Sequence, residues 1–330
     1  KTVLLHRPGA ELEALTPDYM ARMLFDDVPY LKVAQQEHDA FANVLRENGV
    51  EVLYLDKLAA EALATQEIRE KFIMEMVRAS KQEDSYSTYA IVNYLQSLEP
   101  LQMVRKVMAG IKKSDVEVME PTNKQLHHFM IDDYPFYLDP MPNLYFTRDP
   151  AASIGNGLTI NKMHWPARRR ESLFMEYIIK YHPRFMKHDI PVWYNRDEKF
   201  SMEGGDELVL SSEAMAIGIS ERTTAEAIEK MATELFADSN FKKIIALEIP
   251  KSHAFMHLDT VFTMIDYDKF TIHPEIRDFE GKMNLFILEK VEGQAYPRIT
   301  KQHDLEKALC EALHLPKINL IECGGGDEIA

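Results

Sequence analysis

Cysteine is scarce in this chain: 330 residues contain two, Cys310 and Cys323. One bridge at most could form, which excludes a disulfide-built secreted scaffold and points to a reducing, cytoplasmic setting. Positive charge is also short, with 38 Lys and Arg against 53 Asp and Glu and a net charge of −15. Phosphate backbones need a basic face, so nucleic acid is not an expected partner. A small cationic substrate suits the acidic balance. No stretch approaches the roughly 18 consecutive apolar residues of a spanning helix, so no membrane partner is expected either. Lys1-Thr-Val-Leu-Leu-His-Arg-Pro-Gly9 reads as a strand and a turn, not as a signal peptide. There is no initiator Met, and the last residues, Cys323-Gly-Gly-Gly-Asp-Glu-Ile-Ala330, follow directly on an apolar run. Both ends therefore read as cut.

Apolar residues make up 46% of the chain, enough for one large core or two ordinary ones. Thr2–His6 reads as a strand, Leu31–Asn48 as an amphipathic helix closed by Gly49, and Val50–Leu55 as a strand. From Lys57 to Leu126 the chain is rich in Ala, Glu, Lys, Met and Leu with few β-branched clusters. That composition predicts consecutive helices, an all-helical insertion over 58–126, with 1–57 and 127–330 forming the main domain. Ala152–Lys162 reads as a hairpin around Gly155-Asn-Gly157. Helices are expected over Arg168–Tyr181, Thr224–Phe236 (Thr224 as N-cap) and Gln302–Leu313. Strands are expected at Ile190–Tyr194, Glu207–Leu210, Met215–Ser220, Lys243–Ile249, His257–Ile265, Lys269–His273 and Lys317–Cys323. Two strands, a helix and a strand thus recur, with four helices marking four occurrences. Hairpins do not suit a wholly parallel sheet, so the recurrence points to an α/β protein of ββαβ units around a central channel.

Three acidic motifs sit where apolar runs meet polar residues: Asn143-Leu-Tyr-Phe-Thr-Arg-Asp149, Glu203-Gly-Gly-Asp206 and His257-Leu-Asp259. Carboxylates gathered in one pocket repel and lose hydration unless a metal ion or a cationic substrate joins them. If His257 begins a strand, it shares a face with Asp259, which suits a general acid/base beside a substrate carboxylate; a satisfied polar pair at a strand end is the plainer reading. In Glu203-Gly-Gly-Asp206 the glycines allow a tight turn or a close approach to a ligand. No Lys-Ser/Thr follows them, so they do not form a phosphate-binding loop. Pro140 and Pro142 predict extended backbone over Asn143–Asp149, with Asn143, Phe146, Arg148 and Asp149 offering a hydrogen bonder, an aromatic wall, a cation and an anion. Ala167-Arg-Arg-Arg170 opens a helix and Ser220-Glu-Arg222-Thr223 ends a strand. Arg168 and Arg222 could grip a substrate carboxylate, although a solvated helix start is the plainer reading of the first. Glu203, Asp206, His257 and Asp259 could hold a divalent metal, but no His pair at helical or strand spacing supports it.

Taken together, Leu24-Phe-Asp-Asp27, Pro142-Asn-Leu-Tyr-Phe-Thr-Arg-Asp149, Trp165-Pro-Ala-Arg168, Glu203-Gly-Gly-Asp206, Gly218-Ile-Ser-Glu-Arg222-Thr and Met256-His-Leu-Asp-Thr-Val-Phe262 resemble the arginine deiminases of the guanidine-modifying, or pentein, superfamily. The resemblance runs over essentially the whole chain. It implies a five-bladed ββαβ pentein propeller, its last blade incomplete here, with the helical insertion. It implies hydrolysis of L-arginine to L-citrulline and ammonia through a Cys-linked amidino intermediate, with no metal or other cofactor. By motif, Asp149 and Asp259 would bind the guanidinium, Glu203 would support His257 as general acid/base, Arg168 and Arg222 would hold the substrate carboxylate, and Asn143 and Phe146 would line the pocket. A homo-oligomer, dimer or higher, is expected.

The family's nucleophile lies in a Gly-Gly-Pro-Arg-Cys-Met-Ser type segment that does not occur in these residues. Cys323 reads as a buried strand residue and Cys310 as a helix residue, so the nucleophile is expected outside the 330 residues. Two alternatives stand beside the deiminase: a truncated, non-catalytic arginine-binding propeller, and a metal-dependent guanidino hydrolase.

Overall fold

The computed structural model describes residues 1–80, 85–118, 126, 133–251, 255–277 and 284–323. In chain order the first elements are β1 (Thr2–Leu5), α1 (Ala10–Glu13), α2 (Leu31–Glu47) and β2 (Glu51–Tyr54). Four helices follow: α3 (Leu55–Ala62), α4 (Gln66–Ala79), α5 (Ser85–Gln96) and α6 (Pro100–Ala109). After the short β3 (Ile111–Lys112) and β4 (Phe136–Leu138) come β5 (Ala151–Ile154), β6 (Gly157–Ile160), α7 (Glu171–Tyr181) and β7 (Val192–Tyr194). Then come β8 (Glu207–Val209), β9 (Ala214–Ile219), α8 (Ala225–Asp238) and β10 (Lys243–Glu248). The chain continues with β11 (Phe262–Asp266), β12 (Lys269–Ile272), α9 (Pro274–Arg277), β13 (Leu285–Glu289), β14 (Arg298–Gln302), α10 (Leu305–Leu313) and β15 (Asn319–Glu322).

Two compact units result, Lys1–Thr147 with Pro166–Asp189, and Arg148–Trp165 with Ile190–Ala330. In the first unit the predicted run of helices is present up to Ala109, where β3 interrupts it; residues 119–125 of that stretch lie outside the described residues. Buried positions repeat at helical spacing, Phe72, Ile73, Met76 and Val77 on α4 and Met103, Val104, Val107 and Met108 on α6. These faces close on α7 in one core. Phe72 packs there with ring centroids 5.4 Å from Phe174 and 5.1 Å from Tyr177. The parallel pair β1–β2 flanks α2 in sequence, with no hairpin ahead of the helix.

The second unit carries the repeated topology. Three sheets each hold an antiparallel hairpin with a third strand parallel to its second: β5–β6–β7, β8–β9–β10 and β11–β12–β15. In chain order two of them read ββαβ, through α7, which belongs to the first unit, and through α8; between β12 and β15 the described chain runs through α9, β13, β14 and α10. A further hairpin, β13–β14, extends the middle sheet to the order β14-β13-β10-β9-β8. The Gly155-Asn-Gly157 turn joins β5 to β6, with Gly155 at φ +61°. Thr224 caps α8, its hydroxyl accepting from Ala227 N. The expected helix from Gln302 starts at Leu305 instead, because Asp304 is its N-cap and accepts from Lys307 N while Arg298–Gln302 pairs with β13. Cys310 is part-buried on α10, but Cys323 is exposed, not buried: it follows β15, the edge strand of its sheet. Among the described residues no helix is long and apolar enough to cross a membrane.

Phe72→Ala removes a fully buried ring from the first unit's core. It should lower unfolding stability by about 3–5 kcal/mol in urea denaturation, and a loss under about 1 kcal/mol would show that this cluster does not hold the helices together.

Candidate active site

Three motif residues converge in the second unit. Asp149, Glu203 and His257 each place one polar atom within 4.8 Å of the others, and all three are buried. His257 Nε2 donates to Glu203 Oε2 at 2.9 Å, which leaves Nδ1 facing Asp149 Oδ1 at 3.9 Å. The other Glu203 oxygen accepts from His164 N at 2.9 Å, and Arg222 Nη1 lies 3.3 Å from Oε2. The Arg222 guanidinium lies over the Trp165 ring at 6.0 Å, and among the described residues its buried Nε has no hydrogen-bond partner.

The Glu203 motif leads directly into β8, as expected, whereas the His257 motif does not begin a strand. Gly204–Asp206 and Leu258–Thr260 are single 3-10 turns, with Glu203 and His257 as their N-cap residues. The expectation that His257 and Asp259 share a strand face is therefore corrected; the strand begins only at Phe262. What aims His257 is Asp206, whose Oδ1 accepts from Leu258 N at 2.8 Å and whose Oδ2 accepts from Ser220 Oγ at 2.7 Å. The glycines bring the turns together. A Cβ on Gly204 would stand 2.0 Å from the carbonyl oxygen of Arg148, and one on Gly205 would stand 2.6 Å from the His257 ring. The motif is thus both a tight turn and a close approach.

Asp259 is half-buried and meets Arg148, whose Nε lies 3.3 Å from Oδ2. Arg148 also donates from Nε to Gly204 O and from Nη2 to Glu207 O, at 3.1 and 3.0 Å. Asn161 joins Asp149 to a deeper carboxylate: its Nδ2 donates to Asp149 O and to Glu207 Oε1, both at 2.9 Å, while Thr159 Oγ1 donates to Glu207 Oε2 at 2.8 Å. The sequence singled out neither Asn161 nor Glu207 for the site; it offered Arg148 only as a pocket cation and Asp206 only as a possible metal ligand. Arg148 and Asp206 lie within its motifs, but Asn161 carries no sequence signal beyond closing a hairpin strand.

Asn143, Phe146 and Arg168 belong to the first unit. Pro142–Tyr145 is a 3-10 turn, not the extended backbone expected there. The buried Asn143 donates from Nδ2 to Met23 O at 2.8 Å, and Phe146 is exposed with its ring centroid 4.1 Å from that of Tyr145. Arg168 and Arg170 are buried, so the solvated helix start is corrected: Arg168 forks onto Glu171 at 2.9–3.1 Å and Arg170 Nη2 donates to Asp139 O at 2.5 Å. Burial lowers the Arg170 guanidinium's pKa despite the nearby Asp139 and Glu171.

Burial pulls the His257 imidazole down, but the Glu203 hydrogen bond and the charges of Asp149, Asp206 and Glu203 outweigh it, and its pKa lies above the ordinary histidine value. Burial raises Asp259 in spite of Arg148 and His257. It also pushes Asp206 and Glu207 up to about 7, against hydrogen bonds from Ser220 and the Leu258 amide, and from Thr159 and Asn161, respectively. The group able to surround a metal is Asp149, Glu203 and His257, not the set drawn from sequence, since Asp206 is turned onto Ser220 and Leu258. Both Glu203 oxygens face N–H donors, an arrangement that compensates an ionised carboxylate without a metal.

Sheet topology and site together define an α/β protein with a buried carboxylate–histidine centre suited to a cationic substrate. A family profile described as arginine deiminase matches residues 21–330. An arginine deiminase of Bacillus cereus (strain B4264) is 57% identical over 331 aligned residues, covering 100% of this chain and 80% of that protein. One of Staphylococcus haemolyticus (strain JCSC1435) is 55% identical with the same coverage. Among solved structures, a DDAH from Pseudomonas aeruginosa, a mutant complexed with citrulline, aligns at a TM-score of 0.45 and 15% identity, over 98% of this chain and 91% of that one. The chain belongs to the arginine deiminase family.

Glu207 stays protonated to about pH 7 in the folded chain, whereas an ordinary glutamate ionises near 4.5. The folded state therefore binds the extra proton in that window, and stability falls by on the order of 1 kcal/mol per pH unit as pH rises through it. Glu207→Gln should remove this contribution: stability curves of the two proteins, followed by denaturant from pH 4.5 to 7, should diverge in favour of the variant as pH rises. Parallel curves would place Glu207 outside the titration. Gly204→Ala forces the 2.0 Å contact apart and should cost at least about 2 kcal/mol in the same measurement.

Proposed function

We propose that the chain is the binding and proton-transfer part of an arginine deiminase, converting L-arginine and water to L-citrulline and ammonia. The observation that carries the reading is His257 held on buried Glu203 with Asp149 on its other side, in a member of this family. Asp149 and Asp259 bind the guanidinium, whose delocalised charge makes it a poor electrophile until it is oriented by carboxylates. A cysteine thiolate attacks the central guanidinium carbon. His257, entering as imidazolium, donates its proton to the departing nitrogen as the C–N bond breaks, leaving a thiouronium-type intermediate and ammonia. Neutral His257 then takes a proton from water; the hydroxide adds to the same carbon, and collapse expels the thiolate while the hydroxyl proton leaves to solvent, giving citrulline. The raised histidine pKa favours the imidazolium needed first. Among the described residues neither Cys310 nor Cys323 contacts His257, so neither is assigned as the nucleophile.

The same reading includes the five-bladed propeller with a helical insertion over 58–126, supported by the three sheets that join a hairpin to a parallel third strand, and a cytoplasmic homo-oligomer. Arg222 holds the substrate carboxylate while balancing Glu203, and Arg168 is assigned the same duty by the family resemblance. Asn143 and Phe146 keep the pocket roles that the resemblance gives them.

Citrulline release from arginine, agmatine and dimethylarginine tests the reading. Arginine should be preferred, and agmatine turned over equally well would remove the carboxylate role from Arg168 and Arg222. His257→Gln should lower kcat by about 10²–10⁴-fold. Activity that survives chelator but not a thiol alkylating agent is expected. The reverse pattern would favour a divalent metal on Asp149, Glu203 and His257, and arginine binding without citrulline would favour a binding protein.

A further inference from the structure

The half-exposed Arg148 touches all three acidic motifs. Its own backbone leads into Asp149. Its guanidinium donates to the carbonyls of Gly204 and Glu207, which frame the Glu203 turn, and it pairs with Asp259 within the turn that His257 caps. Its carbonyl oxygen sits so close to Gly204 that no side chain fits there. An exposed ion pair alone contributes little to order. Here the planar fork is fixed by two backbone acceptors, and the carboxylate is the third point it meets.

Two roles are open to a guanidinium on a substrate carboxylate. It could hold the place of the ligand and swing away, or it could stay and set the carboxylate's position. Swinging away would break two charge-assisted bonds to main-chain carbonyls, so the second role is favoured. A carboxylate accepts about four hydrogen bonds, so Asp259 can serve Arg148 and a ligand together. The charged groups that bear on Asp259 are Arg148, His257 and Asp149. Of these, Arg148 forms an ion pair with it.

We propose that Arg148 is a positioning residue for substrate binding, a fixed internal guanidinium that braces the Glu203 turn and presents Asp259 to the guanidinium of the incoming ligand. The proposal rests on the deiminase reading of this site. It differs from that reading in making a residue that the ligand need not touch responsible for affinity.

The test is citrulline kinetics and calorimetric L-arginine binding on the full-length protein, Arg148→Gln, Arg148→Lys, Asp259→Asn and the Arg148→Gln/Asp259→Asn double variant. Arg148→Gln should raise KM and Kd about tenfold while kcat stays within about threefold, because a group that acts through ground-state binding moves KM. Adding it to Asp259→Asn should change Kd by less than about twofold, since the partner through which it acts is gone. Arg148→Lys should not restore affinity, as one ammonium cannot span two carbonyls and a carboxylate. A fall in kcat at unchanged KM, tighter arginine binding, losses that multiply in the double variant, or full function of the lysine variant would each overturn the proposal. If the glutamine variant fails to fold, the lysine variant gives the same KM-against-kcat reading. If the unaltered protein neither binds nor hydrolyses arginine, the functional reading fails. Thermal unfolding of the same set then still tests the brace: Tm losses should be non-additive, and additive losses would overturn it.

Discussion

The site depends on one buried negative charge. Glu203 is fully out of water, and an isolated carboxylate there would cost several kcal/mol after relaxation. His257, Arg222 and the His164 amide all donate to it. Each is thereby placed: the imidazole is fixed in orientation with Nδ1 turned to Asp149, and the guanidinium is held over Trp165. Removing the carboxylate would leave a buried guanidinium and imidazole without their shared anion, so chemistry and folding are tied to the same atom.

Adjacent carboxylates in this turn meet different fates. Glu203 is answered by cationic donors. Asp206 and Glu207 hydrogen-bond to neutral hydroxyl, amide and main-chain groups, and burial drives both toward the neutral form near pH 7. A carboxyl whose folded form binds protons more readily than its unfolded form inverts the usual acid sensitivity of a carboxylate-rich protein. The first layer holds charge for chemistry, and the layer behind it holds shape.

Much of the fold was legible because its signals are periodic or chemically strong. Gly155-Asn-Gly157 marks a hairpin, Thr224 marks a helix start, and a hairpin with a parallel third strand recurs in three sheets. Asp149, Glu203 and His257 could be selected from sequence because carboxylates beside glycine and histidine at the edges of apolar runs need a compensating reason to exist there. Local geometry was less readable. A short 3-10 turn has no period to detect, so Pro142–Tyr145 was read as extended chain and Leu258–Thr260 as strand, while Gly204–Asp206 was legible as a turn through its paired glycines. Neither β13 nor β14 was read as a strand, and the last residue of β14, Gln302, was taken as the start of the following helix. The burial of Arg168 depends on Glu171 only three residues on, a local signal that was available, whereas Arg222 finds its carboxylate 19 residues away.

The distances in sequence between partners carry a consequence for how the protein acquires its chemistry. His257 meets Glu203 across 54 residues, and Leu258 meets Asp206 across 52. These contacts close large loops and become favourable only after the sheets that carry the turns have formed. The reactive imidazole is therefore a late product of folding. On the nascent or partly folded chain His257 is an ordinary solvated histidine, and the chain passes through its vulnerable states without a primed proton donor.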